Sequence, residues 1–283
     1  MNARQNGMAL VVVLWLIVLL SMMAAGHTRG THVDTQLASR QVAVAQARGY
    51  AEAGVNHALL MLLSDKGRDV PVDGRIFGVA IDDTTVTLAV RSATGLVDLN
   101  AASPDLLDSA LEAAGIAEAK RRPIVDAILD WRDGDDLRHL DGVEDQDYIA
   151  AGLPWTSRDG RFVAVDELRY LPGIAQAEFE RLAPLVTVHS KRSSLDLELA
   201  PPILVEVMTG ERVEPASQDT TGSGRGPQSG TFHIYATVEA GSGAVAAIEA
   251  VVTTSRSSKE PLIVHEWREP PRQVVPPLEG ADG

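Results

Sequence analysis

An acidic run between Asp130 and Tyr148 holds the side chains of this sequence that are most suited to chemistry. It reads Asp-Trp-Arg-Asp-Gly-Asp-Asp-Leu-Arg-His-Leu-Asp-Gly-Val-Glu-Asp-Gln-Asp-Tyr. Calcium takes about six to eight oxygen ligands, and carboxylates clustered on a loop with a turning glycine supply them in many proteins. The run therefore predicts a calcium-binding loop.

The spacing of these acids indicates which of them would hold the ion. Asp133 and Asp135 flank Gly134, which lets the loop turn between them. Glu144 and Asp145 would close the ligand shell from the far side of the loop, with peptide carbonyls or water completing it.

The same acids have a simpler interpretation. A solvated acidic loop is the alternative, because runs of like charge usually face water. The run also departs from the EF-hand pattern. Asp136 and Asp141 are further candidate ligands. On the residues alone both interpretations stay open.

Known catalytic motifs are absent from the sequence. The seven histidines are scattered, without a His-Glu-x-x-His pair, a Gly-x-Ser-x-Gly elbow or a Gly-x-x-x-x-Gly-Lys phosphate loop. The glycine-rich stretch 222–227 lacks a strand-loop-helix context and is typical of a flexible surface loop. The sequence therefore predicts a protein that is not an enzyme.

Charge and cysteine content exclude further classes. The net charge of −14 argues against nucleic acid and anionic lipid as targets, because both would repel an acidic surface. Leu-Pro-Gly-Ile at residues 171–174 resembles a helix-hairpin-helix joint, but acids outnumber bases around it, which favours a structural joint over DNA binding. Without cysteine there is no disulfide, so packing or a metal must hold the fold.

The N-terminal segment combines a short polar leader with an apolar stretch. Residues 1–7 carry Arg4, and about 18 uncharged residues follow from Met8 to Ala25, near the minimum for a helix across a bilayer. Under the positive-inside rule the N terminus stays in the cytoplasm and the rest is exported. A cleaved signal peptide and an uncleaved anchor are alternatives. A lipoprotein is excluded, because there is no cysteine to acylate.

Helical periodicity continues beyond this stretch to about residue 64. Apolar residues recur at steps of three, four and seven, at Val33, Leu37, Val44, Ala47, Ala51, Val55, Leu59 and Leu62. Gly67 after Lys66 is a typical helix stop. The pattern predicts one helix that spans the bilayer and then packs on a domain.

Two groups of strands are predicted from β-branched runs. The first is a hairpin over residues 75–91 that turns at Asp82-Asp83, followed by a strand through 95–99. The second pair turns at residues 241–243, late in the chain.

A helical block, roughly residues 100–186, separates the two groups. Ser103 is a candidate N-cap with Pro104 in the first turn, and further helices are predicted over 124–131 and 165–170. If the two strand groups share one sheet, this block is an insertion.

The leader resembles the signal of type IV pilins and pseudopilins, in which a short basic leader ends in glycine directly before a spanning helix. The resemblance implies prepilin peptidase, cleavage after Gly7 and methylation of the new amine on Met8. Most members have glutamate at the fifth mature position, where this sequence has Val12. The missing glutamate is similar to one member, the K-type minor pseudopilin of type II secretion.

The acidic run is also similar to the K-type family. The inserted helical domain of that family has Asp-Trp-x-Asp-x-Asp, then Gly-Ala-Glu-Asp and a tyrosine, which correspond here to residues 130–135, 142–145 and Tyr148. Residues 165–174 and 182–188 resemble a second signature of the family.

Calcium binding is a feature of that insert. The resemblance therefore implies that Asp133, Asp135, Glu144 and Asp145 hold a structural calcium ion. The absence of cysteine departs from family members that have a disulfide, and it leaves more of the stabilisation to packing and metal.

The implied fold class is α+β. A pilin-like long N-terminal helix would pack on an antiparallel sheet, interrupted by a large all-α inserted domain that is SAM-like or helix-hairpin-helix-like. The expected segments are a leader (1–7), the transmembrane part of the helix (8–26), the first pilin-like part (27–98), the insert (99–187), the second pilin-like part (188–269) and a disordered tail (270–283).

The implied function is that of a minor pseudopilin at the tip of the type II secretion pseudopilus, which initiates or caps assembly for export of folded proteins across the outer membrane. The chain would cross the inner membrane once, with a cytoplasmic N terminus and a periplasmic domain.

The expected partners are the I- and J-type minor pseudopilins, prepilin peptidase, the inner-membrane platform and secreted substrates, but not nucleic acid. The helix would bind its partner subunits through Val33, Leu37, Val44 and Ala51. The alternative is a membrane-anchored periplasmic module that binds exported cargo in a calcium-dependent way.

Overall fold

The computed structural model describes residues 5–64, 70–212, 229–239, 243–255 and 259–270. In the first helix the described side chains are those of residues 9–22 and of residue 37 onward, so the side chains of Met8 and Val33 lie outside them. The glycine-rich stretch 222–227 and the tail after Pro270 also lie outside the described residues.

Six α-helices and seven strands are described. The helices are α1 (Gln5–Leu63), α2 (Pro104–Ala113), α3 (Glu118–Arg132), α4 (Asp145–Ala150), α5 (Gln176–Leu182) and α6 (Pro202–Thr209). The strands are β1 (Asp73–Ile81), β2 (Thr84–Ser92), β3 (Val97–Asp98), β4 (Val186–Thr187), β5 (Gly230–Glu239), β6 (Val245–Thr254) and β7 (Leu262–Arg268).

The second half of α1 packs on a five-stranded antiparallel sheet of order β1-β2-β5-β6-β7. The predicted apolar stripe carries this contact, because Ala47, Ala51, Val55 and Leu62 are buried against the sheet. Helix and sheet approach closely at Gly54, where an added Cβ atom would lie 2.6 Å from Cγ1 of Val86. The α+β prediction of a helix on an antiparallel sheet is confirmed.

Among the residues that the structure describes, no helix combines the length and the apolar character that crossing a membrane requires.

The predicted hairpins are present. β1 and β2 pair around the turn at Asp82, whose positive φ of 50° suits aspartate better than most residues. β5 pairs with both β2 and β6, so the early and late strands share one sheet. β7 was not predicted, and a register shift against β6 between Val251 and Val252 interrupts its alternation of inward and outward residues.

Between β2 and β5 the chain leaves the sheet and builds a helical block with its own core. Ser103 caps α2 by accepting a hydrogen bond from the N–H of Leu106 at 3.3 Å, as predicted, and residues 165–170 form a 3₁₀ helix. The buried core of the block includes Trp131, Tyr148 and Leu168. β3 and β4, which pair in parallel, join the two ends of the block.

A polar network connects the block to the sheet. Arg268 of β7 donates to Glu249 of β6 at 2.8 Å and also pairs with Asp166 of the block. Burial alone would raise the pKa of Glu249, but His233, whose Nδ1 lies 3.8 Å from Oε1 of Glu249, and the charge of Arg268 outweigh it and lower the pKa to about 2. Glu249 therefore stays ionised at neutral pH in a buried position.

Candidate functional site

The acidic loop, residues 133–144, connects the end of α3 to the start of α4. Asp130, the last acid of α3, is buried and accepts hydrogen bonds from two segments of the loop. Its Oδ1 accepts from the N–H of His139 at 3.0 Å and contacts the His139 ring, and its Oδ2 accepts from the N–H of Val143 at 2.7 Å. Asp130 therefore holds the shape of the loop.

Gly142 allows this close approach. A Cβ atom at that position would lie 1.8 Å from Oδ2 of Asp130, so any other residue there would displace the Asp130 carboxylate or the loop. The close packing of the Asp130 carboxylate thus explains the glycine in the Gly-Val-Glu-Asp element.

Two carboxylate oxygens of the loop lack a hydrogen-bond partner among the described residues. They are Oδ1 of Asp133 and Oε1 of Glu144, and both are buried. A buried carboxylate oxygen without a partner is costly. A bound cation would remove this cost for both groups, so the residues fit a hard metal ion.

The pKa values of two carboxylates in the loop also favour a bound cation. Burial, followed by the negative charges of Asp130 and Asp133, raises the pKa of Glu144 to about 7. Burial, followed by the charges of Asp135 and Asp130, raises the pKa of Asp133. Mutual repulsion of this kind is typical of carboxylates that share a cation site.

Of the four predicted ligands, only Asp133 belongs to the group of metal-binding side chains that the structure brings together. Ligand atoms of Asp130, Asp133 and His139 lie within 4.8 Å of one another. Asp130 and His139 were not predicted as ligands. The position of Asp130 in the Asp-Trp-x-Asp-x-Asp element was the available signal, since it lies one helical turn before Asp133.

Asp135 and Asp145 take peripheral positions. Asp135 is exposed and its Oδ1 accepts from the N–H of Leu137 at 2.9 Å, although its charge acts on Asp133. Oδ1 of Asp145 accepts from the N–H of Ser157 at 3.0 Å, which ties α4 to the following segment. Their role as calcium ligands stays a prediction.

An aromatic cluster supports the loop from inside the block. Trp131 packs near Tyr148, with ring centroids 6.1 Å apart, and its Nε1 donates to Glu167 at 3.0 Å. The Tyr148 hydroxyl is buried near Glu144 and, among the described residues, has no hydrogen-bond partner. Burial, with the charge of Glu144, raises its pKa.

The predicted partner-binding residues of α1 separate into two groups. Leu37 and Val44 are exposed, at 56% and 54%. Ala51 is completely buried against the sheet of its own chain, so its prediction as a partner contact is wrong. The stripe of apolar residues is exposed at Leu37 and Val44 and buried at Ala51. Periodicity alone does not show where the exposed part ends and the buried part begins. Val33 lies outside the described side chains.

Comparison with known proteins gives one consistent family. Residues 88–191, which include the acidic loop, match the model for type II secretion system protein K. An Escherichia coli protein assigned as a type II secretion system protein K is 32% identical over 209 residues, covering 66% of this chain and 64% of that protein. The Klebsiella pneumoniae type II secretion system protein K is 26% identical over 66% of this chain and 63% of its own length. This chain thus spans slightly less than two thirds of either relative.

Two further comparisons extend over more of the chain. The Pseudomonas aeruginosa type II secretion system protein K is 24% identical over 80% of this chain and 74% of its own length. A chain of the solved GspK-GspI-GspJ complex from the type 2 secretion system of enterotoxigenic Escherichia coli has a similar fold, with a TM-score of 0.53 at 14% identity, over 85% of this chain and 99% of the other. Together with the match across the acidic loop, these comparisons show that the chain is similar in sequence to type II secretion system protein K and similar in fold to a chain of the GspK-GspI-GspJ complex.

Proposed function

We propose that this protein is a minor pseudopilin at the tip of the type II secretion pseudopilus, where it initiates or caps assembly. The observation that carries the proposal is the division of α1. Between residues 47 and 62 one apolar face of α1 is buried on the sheet, whereas Leu10 to Leu20, Leu37 and Val44 expose apolar side chains. Apolar surface of this extent on one helix is typical of contact with lipid or with partner helices.

The N terminus is proposed to follow the pseudopilin pathway. Prepilin peptidase cleaves after Gly7, the amine of Met8 is methylated, and the apolar part of α1 anchors the chain in the inner membrane. The domain that follows lies in the periplasm, in contact with the inner-membrane platform during assembly. The run of uncharged residues from Met8 to Ala25 supports this topology.

The proposed partners are the I- and J-type minor pseudopilins. The similarity to type II secretion system protein K and the likeness to a chain of the GspK-GspI-GspJ complex support them. Leu37 and Val44 are the exposed apolar residues that we assign to these contacts.

A structural calcium ion is proposed in the acidic loop. The unpaired buried oxygens of Asp133 and Glu144 would be its principal ligands, with Asp135 and Asp145 as further candidates. The ion would supply charge neutralisation and no catalysis. It would fix the loop between α3 and α4 and thereby stabilise the helical block.

Two features support a tip position. A carboxylate at the fifth mature position would neutralise the terminal amine of a neighbouring subunit, a charge that is costly in hydrocarbon, and Val12 cannot do so. The helical block between β3 and β4 would also collide with subunits stacked above it in a shaft. A subunit with nothing ahead of it needs no such carboxylate and meets no such neighbour.

Crosslinking along the filament tests the tip position. We expect this chain to crosslink to pseudopilins on its membrane-facing side only, and we expect Val12→Glu to leave secretion within about twofold of wild type, because no amine lies ahead of it. Crosslinks that place this chain repeatedly along the shaft, with subunits both above and below it, would contradict the tip position.

A further inference from the structure

We propose that the partner helix sits in a groove between α1 and the edge strand β7, with Trp267 as its central contact. This inference rests on the proposed function and names the surface that serves it. α1 alone offers a narrow ridge, since Leu37 and Val44 are seven residues apart on one face, about 10 Å along the axis. A second wall beside that ridge turns it into a groove.

β7 provides an exposed apolar wall. It is the last strand of the sheet, and among the described residues no strand pairs with its outer edge. Val264 is 48% exposed and Trp267 is 40% exposed, on either side of the register shift in β7. A partly exposed tryptophan in an ordered position is a frequent main contact in protein interfaces.

The register places these two side chains on the α1 side of the sheet. Val264 pairs with Val252 and Trp267 pairs with Ala250. Val252 and Ala250 belong to the core beneath α1, and residues directly opposite each other on neighbouring strands point to the same face. Val264 and Trp267 therefore face the side on which α1 lies.

An ion pair fixes where the end of β7 meets α1. Nη1 of Arg48 lies 2.9 Å from Oε1 of Glu269, two residues after Trp267. Arg48 is one turn beyond Val44, and among the side chains that the structure describes Ala47 is the first of α1 to be buried on the sheet. Val44 and Trp267 thus flank one ion pair, at the point where α1 leaves its own domain toward the N terminus.

The position of the groove determines its occupant. A second pseudopilin is anchored in the same membrane, so its helix must approach from the N-terminal end of α1 and run alongside it. That approach leads to the surface formed by Val44, Val264 and Trp267. Arg48 and Glu269 form a polar rim of both signs, as in grooves that accept an amphipathic helix. We therefore commit to the N-terminal helix of another pseudopilin subunit.

Photo-crosslinking of the full-length chain in its host tests the groove. A photoreactive amino acid is placed at position 267, at position 37 as the reference for the proposed partner contact, and at position 60 as the matched control. Leu60 is 67% exposed on the same helix, but at its far end. We expect positions 37 and 267 to capture the N-terminal helix of the same pseudopilin, identified by mass spectrometry, and position 60 to capture none.

The outcomes separate the inference from the proposed function. Capture at 37 but not at 267 overturns the groove and leaves the pseudopilin function standing. Capture at neither position contradicts both. Capture from position 267 of a second copy of this chain, or of residues 271–283 of the same chain, also overturns the inference.

A pair of variants measures the contribution of the groove. Trp267→Arg is expected to reduce co-purification of the partner by at least about tenfold, and Leu60→Arg to leave it unchanged. If Trp267→Arg does not fold, Val264→Lys replaces it. This variant changes a smaller side chain on the same face and is expected to give the same loss. Normal partner recovery from a folded Trp267→Arg or Val264→Lys chain would overturn the proposal.

Discussion

Replacing both Leu37 and Val44 with aspartate is expected to abolish the complex with the other minor pseudopilins. Both side chains are more than half exposed on α1 and belong to the surface assigned to partner helices. Two unpaired carboxylates in an apolar interface would cost several kcal/mol, which corresponds to a loss of more than about a hundredfold in affinity. The measurement is co-purification of the I- and J-type subunits from detergent-solubilised membranes.

Leu60→Asp is the control for this double variant. It introduces one carboxylate at a position that is 67% exposed near the other end of α1, and it should leave the complex intact. The thermal unfolding of all variants should match wild type, because neither Leu37 nor Val44 packs in the core. Undiminished recovery of both subunits with the Leu37 and Val44 variant would show that this face does not bind them.

Replacing Asp133 and Asp135 with alanine is expected to remove the calcium-dependent part of the stability. Calcium at about a hundred times its dissociation constant would add about 2.7 kcal/mol to the free energy of unfolding. For a chain of this size that corresponds to a rise of roughly 5–10 °C in the unfolding temperature. The measurement is thermal unfolding of the purified protein with calcium and with a chelator.

Glu144→Gln is a second variant that tests calcium binding by thermal unfolding. Burial and neighbouring carboxylates raise the pKa of Glu144 to about 7, so the metal-free protein should unfold at a higher temperature when glutamine removes this charge. The variant should also lose its response to calcium. Glu211→Gln, a change at an exposed acid outside the loop, should behave as wild type. Equal unfolding of wild type with calcium and with chelator would support a solvated acidic loop instead.

Local sequence signals predicted much of the fold. The stripe from Ala47 to Leu62 repeats at steps of three and four, which only a helix places on one face, and it is buried as predicted. Ser103 and Pro104 set the start of α2 through a cap that depends on neighbouring residues alone. Turn residues likewise set the β1–β2 hairpin.

Features that depend on distant contacts were not predictable in the same way. Ala51 follows the same periodicity as Val44, and only the position of the sheet decides which of the two is covered. In the sequence nothing distinguishes Asp130 from the other acids of the run. In the structure it is buried because the loop folds back over the end of α3. β7 lacked a regular alternation because its register shifts at a bulge.

The mass of the N-terminal peptide tests most directly whether this chain is a processed pseudopilin. The protein is purified from its host with and without prepilin peptidase. We expect a methylated Met8 as the first residue only when the peptidase is present, and we expect a bulkier residue in place of Gly7 to block processing. An N terminus at Met1 or at Gly26 in the wild-type host would contradict the account.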